Sequence, residues 1–356
     1  MREKTIFRQA LNIVYIMLFL HNTMYSLANA KAVPRPNQAG HDGDVVSLLG
    51  EKPERLRFHL GDVEAGRPKI DASLPNMPGD ASSWYVAQWQ HREYLHASDL
   101  LVDRTVEGDR RRPAYVFGTP DRQTRLVIRR KPAGSGYVYN LLERGGHLTE
   151  GGGSNLFLAA PVISDTATFD RPVTLSIDTR VTAARVSYDV PTARADGAVL
   201  AMAFIGLGVM YRDPVDGRQQ FVFMQIPLTA SREPTRAAGV MCSLNQGKPQ
   251  LLYSTAAGDR AKFLPFRPDT GGLHTLRHDV SALVAGMLAQ PYPCGGRTFT
   301  WSTEERRLER WRLTGLYVGL EVQDTDDRKL AIRHDRQGTA ELGLDIGRLS
   351  VTRAGP

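Results

Sequence analysis

From Val173 to Asp178, the apolar Val173, Leu175 and Ile177 alternate with the polar Thr174, Ser176 and Asp178. A period of two puts one set of side chains on each face of an extended chain, so the segment is a half-buried strand rather than a helix. Short runs rich in β-branched, aromatic and aliphatic residues recur at Trp84–Trp89, Tyr115–Phe117, Arg125–Ile128, Leu251–Tyr253, Phe299–Trp301, Leu316–Val322, Leu330–Ile332 and Leu349–Val351. Turn formers such as Gly118, Thr119, Pro120 and Asp121 separate them, which is strand punctuation. Ala198–Tyr211 is almost wholly apolar, but Gly206, Gly208 and the turn Asp213-Pro214-Val215-Asp216-Gly217 favour a buried central strand over a helix. Phe221–Ile226 then returns antiparallel as the second arm of a hairpin. Helical spacing is convincing once: Val280, Leu283, Val284, Met287 and Leu288 follow Asp279, a good N-cap. Thr303–Glu309 is either a second short helix or a charged turn. No repeat of 20–50 residues and no strand–helix alternation is present. The expected fold is all-β, a two-sheet antiparallel β-sandwich, jelly-roll-like, with one or two short helices.

The N-terminus constrains where the chain folds. Arg2, Lys4 and Arg8, with Glu3, precede an apolar run from Ala10 to Leu20, a mixed stretch to Leu27, and Ala28-Asn29-Ala30. That order predicts a signal peptide over residues 1–30. His21, Asn22 and Thr23 break the apolar run well short of the roughly 20 residues a spanning helix needs. A disordered leader is expected over 31–50 and a single β-sandwich domain over 51–356, secreted or periplasmic, with no membrane span after cleavage. The only two cysteines, Cys242 and Cys294, then meet an oxidising compartment and are expected to pair.

Charge excludes little. The formal net charge is +7, of which the signal's three bases and one acid supply +2, leaving +5. Most of the base is arginine, whose planar fork suits carboxylate or sulfate, so an acidic partner is permitted. Arg110-Arg111-Arg112 and Arg129-Arg130-Lys131 lie beside Pro113 and Pro132 and read as exposed turns, and nucleic acid is not an expected partner of an exported chain.

The richest candidate for chemistry is Ser83–Tyr94. In an extended chain Tyr85, Ala87, Trp89 and His91 share one face, and Trp84, Val86, Gln88 and Gln90 the other. Rings stack on sugar faces while amides and imidazole bond hydroxyls, so the segment suits a polysaccharide as well as it suits a core strand. In Leu316–Val322, Tyr317, Gly319 and Glu321 oppose the apolar Leu316, Val318, Leu320 and Val322. Trp84, Tyr85, Trp89, Tyr317 and Glu321 are therefore the candidate substrate-binding residues. Glu321 has the chemistry of a glycosidase carboxylate, but the sequence shows no partner for it and no Glu-x-Asp-x-x-Glu strand. No cofactor is indicated beyond a structural Ca²⁺ at the acidic turn Asp324, Asp326 and Asp327, which lacks calcium-loop spacing and reads equally as a polar turn. His274 and His278 stand four apart without a His-Glu-x-x-His pattern, and no Gly-x-Ser-x-Gly elbow is present.

Val86-Ala87-Gln88-Trp89-Gln90-His91 resembles the Gln-x-His strand of secreted jelly-roll polysaccharide lyases. The resemblance implies β-elimination on an acidic glycan, with His91 or Tyr94 as base, Gln88 or Gln90 against the uronate carboxylate, and Arg92 as a second neutralising group. Here Gln90 adjoins His91 and Gln88 precedes it by three, which departs from that pattern. Phe223-Met224-Gln225-Ile226-Pro227 also resembles the family, without a histidine. Trp311–Val322 and Leu349–Thr352 are similar to the closing strands of concanavalin-like sandwich domains. Three functions follow: a lyase, a non-catalytic glycan-binding module, or a structural, envelope-assembly protein.

Overall fold

The computed structural model describes residues 46–49, 57–60, 69–73, 85–89, 95, 99–101, 114–120, 122–130, 137–145, 153–161, 167–188, 199–231, 239–245, 248–255, 263–323 and 338–355. The signal peptide, Trp84, Gln90, His91, Arg92, Tyr94, the acidic turn at 324–327 and Leu330–Ile332 lie outside them.

Among the described residues, nineteen strands form two large sheets and a small hairpin. One sheet has eight strands: β1 (Val46–Ser47), β5 (Leu100–Leu101), β6 (Ala114–Gly118), β7 (Thr124–Arg130), β8 (Tyr137–Gly145), β10 (Val173–Tyr188), β15 (His274–Asp279) and β19 (Gly338–Arg353). Its order is β15-β10-β19-β8-β7-β6-β5, with β1 also on β19. The other has nine: β2 (Arg57–Leu60), β3 (Lys69–Ser73), β4 (Tyr85–Trp89), β9 (Gly153–Pro161), β11 (Leu200–Arg212), β12 (Gln219–Ala230), β13 (Gly239–Asn245), β14 (Lys248–Ser254) and β18 (Trp311–Gln323). Its order is β13-β14-β12-β11-β18-β9-β4-β2-β3. The hairpin is β16 (Tyr292–Cys294) with β17 (Arg297–Phe299).

Alternation decides which face each strand buries. Val173, Leu175, Ile177, Thr179 and Val181 of β10 are buried, and the residues between them are half-buried. They pack with Leu126, Leu141 and Leu344 of the same sheet against Val86, Leu156, Ile205, Met224 and Val318 of the other, in one continuous core. Each such side chain contributes about 1.5–3 kcal/mol relative to exposure. The apolar run at 198–211 is the central strand β11, and it returns as β12. At that turn the Asp213 carboxylate accepts from the Val215 N–H at 2.8 Å and the Asp216 N–H at 3.3 Å, and Gly217 takes φ +70°.

Three details refine the expectations. The nine-stranded sheet is mixed rather than antiparallel: β12 runs parallel to β14 because β13 pairs on the far side of β14, and β2 runs parallel to β4. Thr303–Glu309 is a charged turn leading into one 3₁₀ turn at Leu308–Arg310, closed by reciprocal bonds between Ser302 and Glu305. Residues 46–49, expected in a disordered leader, add β1 to the sheet and bury Leu48 and Leu49. The predicted helix is present as α1 (Val280–Leu288), with the Asp279 carboxylate accepting from the Ala282 N–H at 2.9 Å and Val280, Val284, Met287 and Leu288 buried. Cys242 of β13 is bonded to Cys294 of β16, Cα atoms 5.1 Å apart. Among the described residues, no helix is long and apolar enough to cross a membrane.

Candidate functional site

Leu316, Val318, Leu320 and Val322 of β18 enter the core between the sheets, so Tyr317, Gly319 and Glu321 point to the outer face of the nine-stranded sheet. Register extends that face sideways. Trp89, Asn155, Glu321 and Met202 align across β4, β9, β18 and β11. One pleat along, Ala87, Phe157, Gly319, Phe204 and Pro227 align, and one further, Tyr85, Ala159, Tyr317, Gly206 and Gln225. The two segments singled out in the sequence, 85–89 and 317–321, therefore meet on one face with β9 between them.

The face has an aromatic layer of its own. Phe157, Phe204, Phe223 and Tyr317 pack with Ala87, Ala159 and Leu252 into a second cluster, apart from the main core. Ring centroids lie 4.9 Å apart for Phe157 and Phe204, 6.5 Å for Phe204 and Phe223, and 6.3 Å for Phe223 and Tyr317, tilted or edge-on as ring quadrupoles prefer. Two glycines make room. A Cβ on Gly206 would strike the Phe223 ring, and one on Gly319 would strike the Leu156 carbonyl oxygen and come 2.7 Å from Phe157 Cα. Polar groups flank the rings: Glu321 at 1% exposure, Asn155 at 0% and Gln225 at 6%. Across β12, β11, β18, β9 and β4, Glu321 is the only acidic residue. A carboxyl set among rings, amides and a phenol can hold or transfer a proton and can accept bonds from hydroxyls.

The other predicted residues fall elsewhere. Gln88 is fully buried on the opposite face of β4 from Ala87. Its Nε2 donates to the Leu95 carbonyl and its Oε1 accepts from the Leu95 N–H, both at 2.8 Å, so the amide holds the chain at Leu95. By register Tyr85 pairs with Ala159 and Trp89 with Asn155. Trp84, Gln90, His91, Arg92 and Tyr94 lie outside the described residues. Asn155, Phe157 and Phe204 escaped the sequence reading, because β9 and β11 carry apolar residues on both faces and show no alternation. Gln225 lies within the Phe223–Pro227 segment already noted for its resemblance.

No family model matches the chain, and no curated protein matches it. Among solved structures it is similar to a mutated cellulase of Rhodothermus marinus, with TM-score 0.31, 12% identity, 75% of this chain covered and 100% of that one. It is also similar to the family 11 xylanase of Neocallimastix patriciarum, with TM-score 0.32, 8% identity and coverage of 75% and 98%. A family 12 glycoside hydrolase gives TM-score 0.33, 11% identity and coverage of 75% and 99%. Likeness this loose assigns neither substrate nor reaction, and what the chain can do is read from its own residues.

Proposed function

We propose that the chain is an exported protein that acts on a polysaccharide taken across the outer face of the nine-stranded sheet. One observation carries the reading: residues 85–89 and 317–321, far apart in sequence, come to one face beside Asn155. Rings, amides and a carboxylate are the groups that hold sugars, through stacking and hydroxyl bonds. The Cys242–Cys294 bridge and the Ala28-Asn29-Ala30 pattern support export.

In its sharper form the protein is a lyase of acidic glycans. His91 or Tyr94 removes the C5 proton of a uronate, the C4–O bond breaks, the leaving oxygen gains a proton, and a C4–C5 double bond forms. Gln90 and Arg92 neutralise the carboxylate and Tyr85, Trp84 and Trp89 hold the chain, while Tyr317 and Glu321, 2% and 1% exposed, support that face from within. A second reading, a glycan-binding module without turnover, is favoured by Glu321 standing as the only acidic residue on the five central strands of the sheet. Screening the purified protein against polygalacturonate, alginate and hyaluronan separates the two. A lyase raises near-ultraviolet absorbance as unsaturated ends accumulate, and His91→Ala abolishes that rise while leaving the folding midpoint unchanged. Silence with retention in polymer-containing gels selects the binding module. Silence with no retention contradicts both and leaves envelope assembly, which light scattering of the eluting protein detects as self-association.

A further inference from the structure

Three oxidisable rings run in contact through one end of the core. Trp301 follows β17, Trp311 opens β18, and Tyr211 lies near the end of β11. Ring centroids are 5.6 Å apart for Trp301 and Trp311, and 5.7 Å apart for Trp311 and Tyr211. Tyr211 and Trp311 are register partners on adjacent strands, so the sheet itself fixes their contact. All three belong to the main core and are buried. Rings this close touch at their edges, near enough for an electron to pass from one to the next. Tyr292 of β16 meets Trp301 from the other side, centroids 4.7 Å apart, and the exposed Phe299 stacks on it.

The acceptors along the row differ in kind. The Trp301 indole N–H donates to the Met287 carbonyl at 3.2 Å, and that of Trp311 to the Glu305 carbonyl at 2.6 Å. A peptide carbonyl is too weak a base to take a proton. Either indole, having lost an electron, therefore stays a cation radical that draws an electron from its neighbour. The Tyr211 hydroxyl instead donates to the Asp213 carboxylate, at 3.3 Å. Burial first, then the charge of Asp213, raise the Tyr211 pKa, so the phenol holds its proton until it is oxidised. Asp213 is half-buried in the β11–β12 turn, where the Val215 N–H first, working against burial, holds its carboxyl below the ordinary carboxylate value. An ionised carboxylate in that place is the base the phenol needs. Among the described residues, nothing accepts from the Tyr292 hydroxyl.

We propose that Trp301, Trp311 and Tyr211 form a radical relay that carries oxidising equivalents out of the core, with Asp213 as its proton acceptor. A one-electron radical oxidant takes an electron from Trp301 and becomes its anion. Trp311 returns an electron to Trp301, and Tyr211 returns one to Trp311. As Tyr211 is oxidised, its phenolic proton passes to Asp213 and from there to water. One electron and one proton leave the protein, and a neutral tyrosine radical remains beside the exposed turn. Both tryptophans end as intact rings, so the apolar packing they provide survives the oxidant. The relay rests neither on the Glu321 face nor on a bound sugar.

The test is pulse radiolysis of the full protein with azide radicals, following tryptophan and tyrosine radicals by their absorbance. Wild type should convert tryptophan radical into tyrosine radical at a rate that is independent of protein concentration and slower in heavy water. Tyr211→Phe keeps the ring and removes the hydroxyl, and should slow the conversion severalfold. Asp213→Asn keeps an acceptor for the Val215 N–H and removes the base, and should slow it as well. Tyr292→Phe, which alters a tyrosine equally close to the row, should leave it unchanged. Trp84 and Trp89 are present in every variant, so differences between variants report Trp301 and Trp311. Thermal midpoints register whether each variant folds, and Tyr211→Phe and Asp213→Asn each test the relay alone. Conversion at the wild-type rate in a folded Tyr211→Phe or Asp213→Asn protein, equal slowing in Tyr292→Phe, or a rate that scales with protein concentration overturns it.

Discussion

Gly319 shows how narrow the tolerance of the candidate site is. It lies in the row Ala87, Phe157, Gly319, Phe204, and the atoms that a Cβ would meet are mainly backbone, which cannot swing aside. At Gly206 the obstacle is a side chain, the Phe223 ring. Gly319→Ala should therefore cost about 1–3 kcal/mol through overpacking, and more than Gly206→Ala, as read from urea midpoints. Asp269 offers a residue-scale test of pH dependence. Its carboxylate bonds His274 and the Gly271 N–H, at 2.5 and 2.7 Å, and these bonds, His274 first, hold its pKa below the ordinary value. A carboxyl held low in the folded state stabilises above its unfolded pKa, and that contribution is lost as pH falls through the lowered value. Asp269→Asn should thus unfold at lower temperature than wild type at neutral pH, with the gap closing in acid. A gap that persists unchanged at the acid end would contradict this.

At the scale of elements, strands with alternation were legible and strands without it were only half legible. β10 and β18 declare their faces in sequence, and α1 declares its start at Asp279 and its buried stripe. β9 and β11 do not, because both of their faces are buried: one by the main core, the other by the aromatic cluster. Tyr317 and Glu321 are buried with that second layer, which the alternation of β18 alone does not reveal. Gln88 shows a related effect. Its type suggested a ligand, and its amide is bonded to the backbone of Leu95, seven residues on, a contact that no local pattern encodes. The edge strand β13 depends on a tertiary link, since Cys242 ties it to the β16–β17 hairpin. With the cysteines 52 positions apart, the chain-entropy model gives the bridge about 4 kcal/mol. Cys242→Ser should lower stability by about that amount, measured under non-reducing conditions, and added reductant should bring wild type down to the variant.

For the whole molecule, composition and punctuation were enough to expect a sandwich, because many short two-sided strands have few other ways to bury their apolar faces. They were not enough to order the strands. Pairing β4 with β9 joins residues more than 60 positions apart and pairing β9 with β18 joins residues more than 150 apart, and only the closed fold brings Trp89, Asn155 and Glu321 into one row. That row is the basis of the functional reading, so it is the feature to test. Hydrogen–deuterium exchange should be followed with and without whichever polysaccharide retains the protein in gels. The account predicts added protection in β4, β9 and β18, with β10 and β19 unchanged. Protection confined to the eight-stranded sheet or the hairpin, with β18 unaltered, would contradict it.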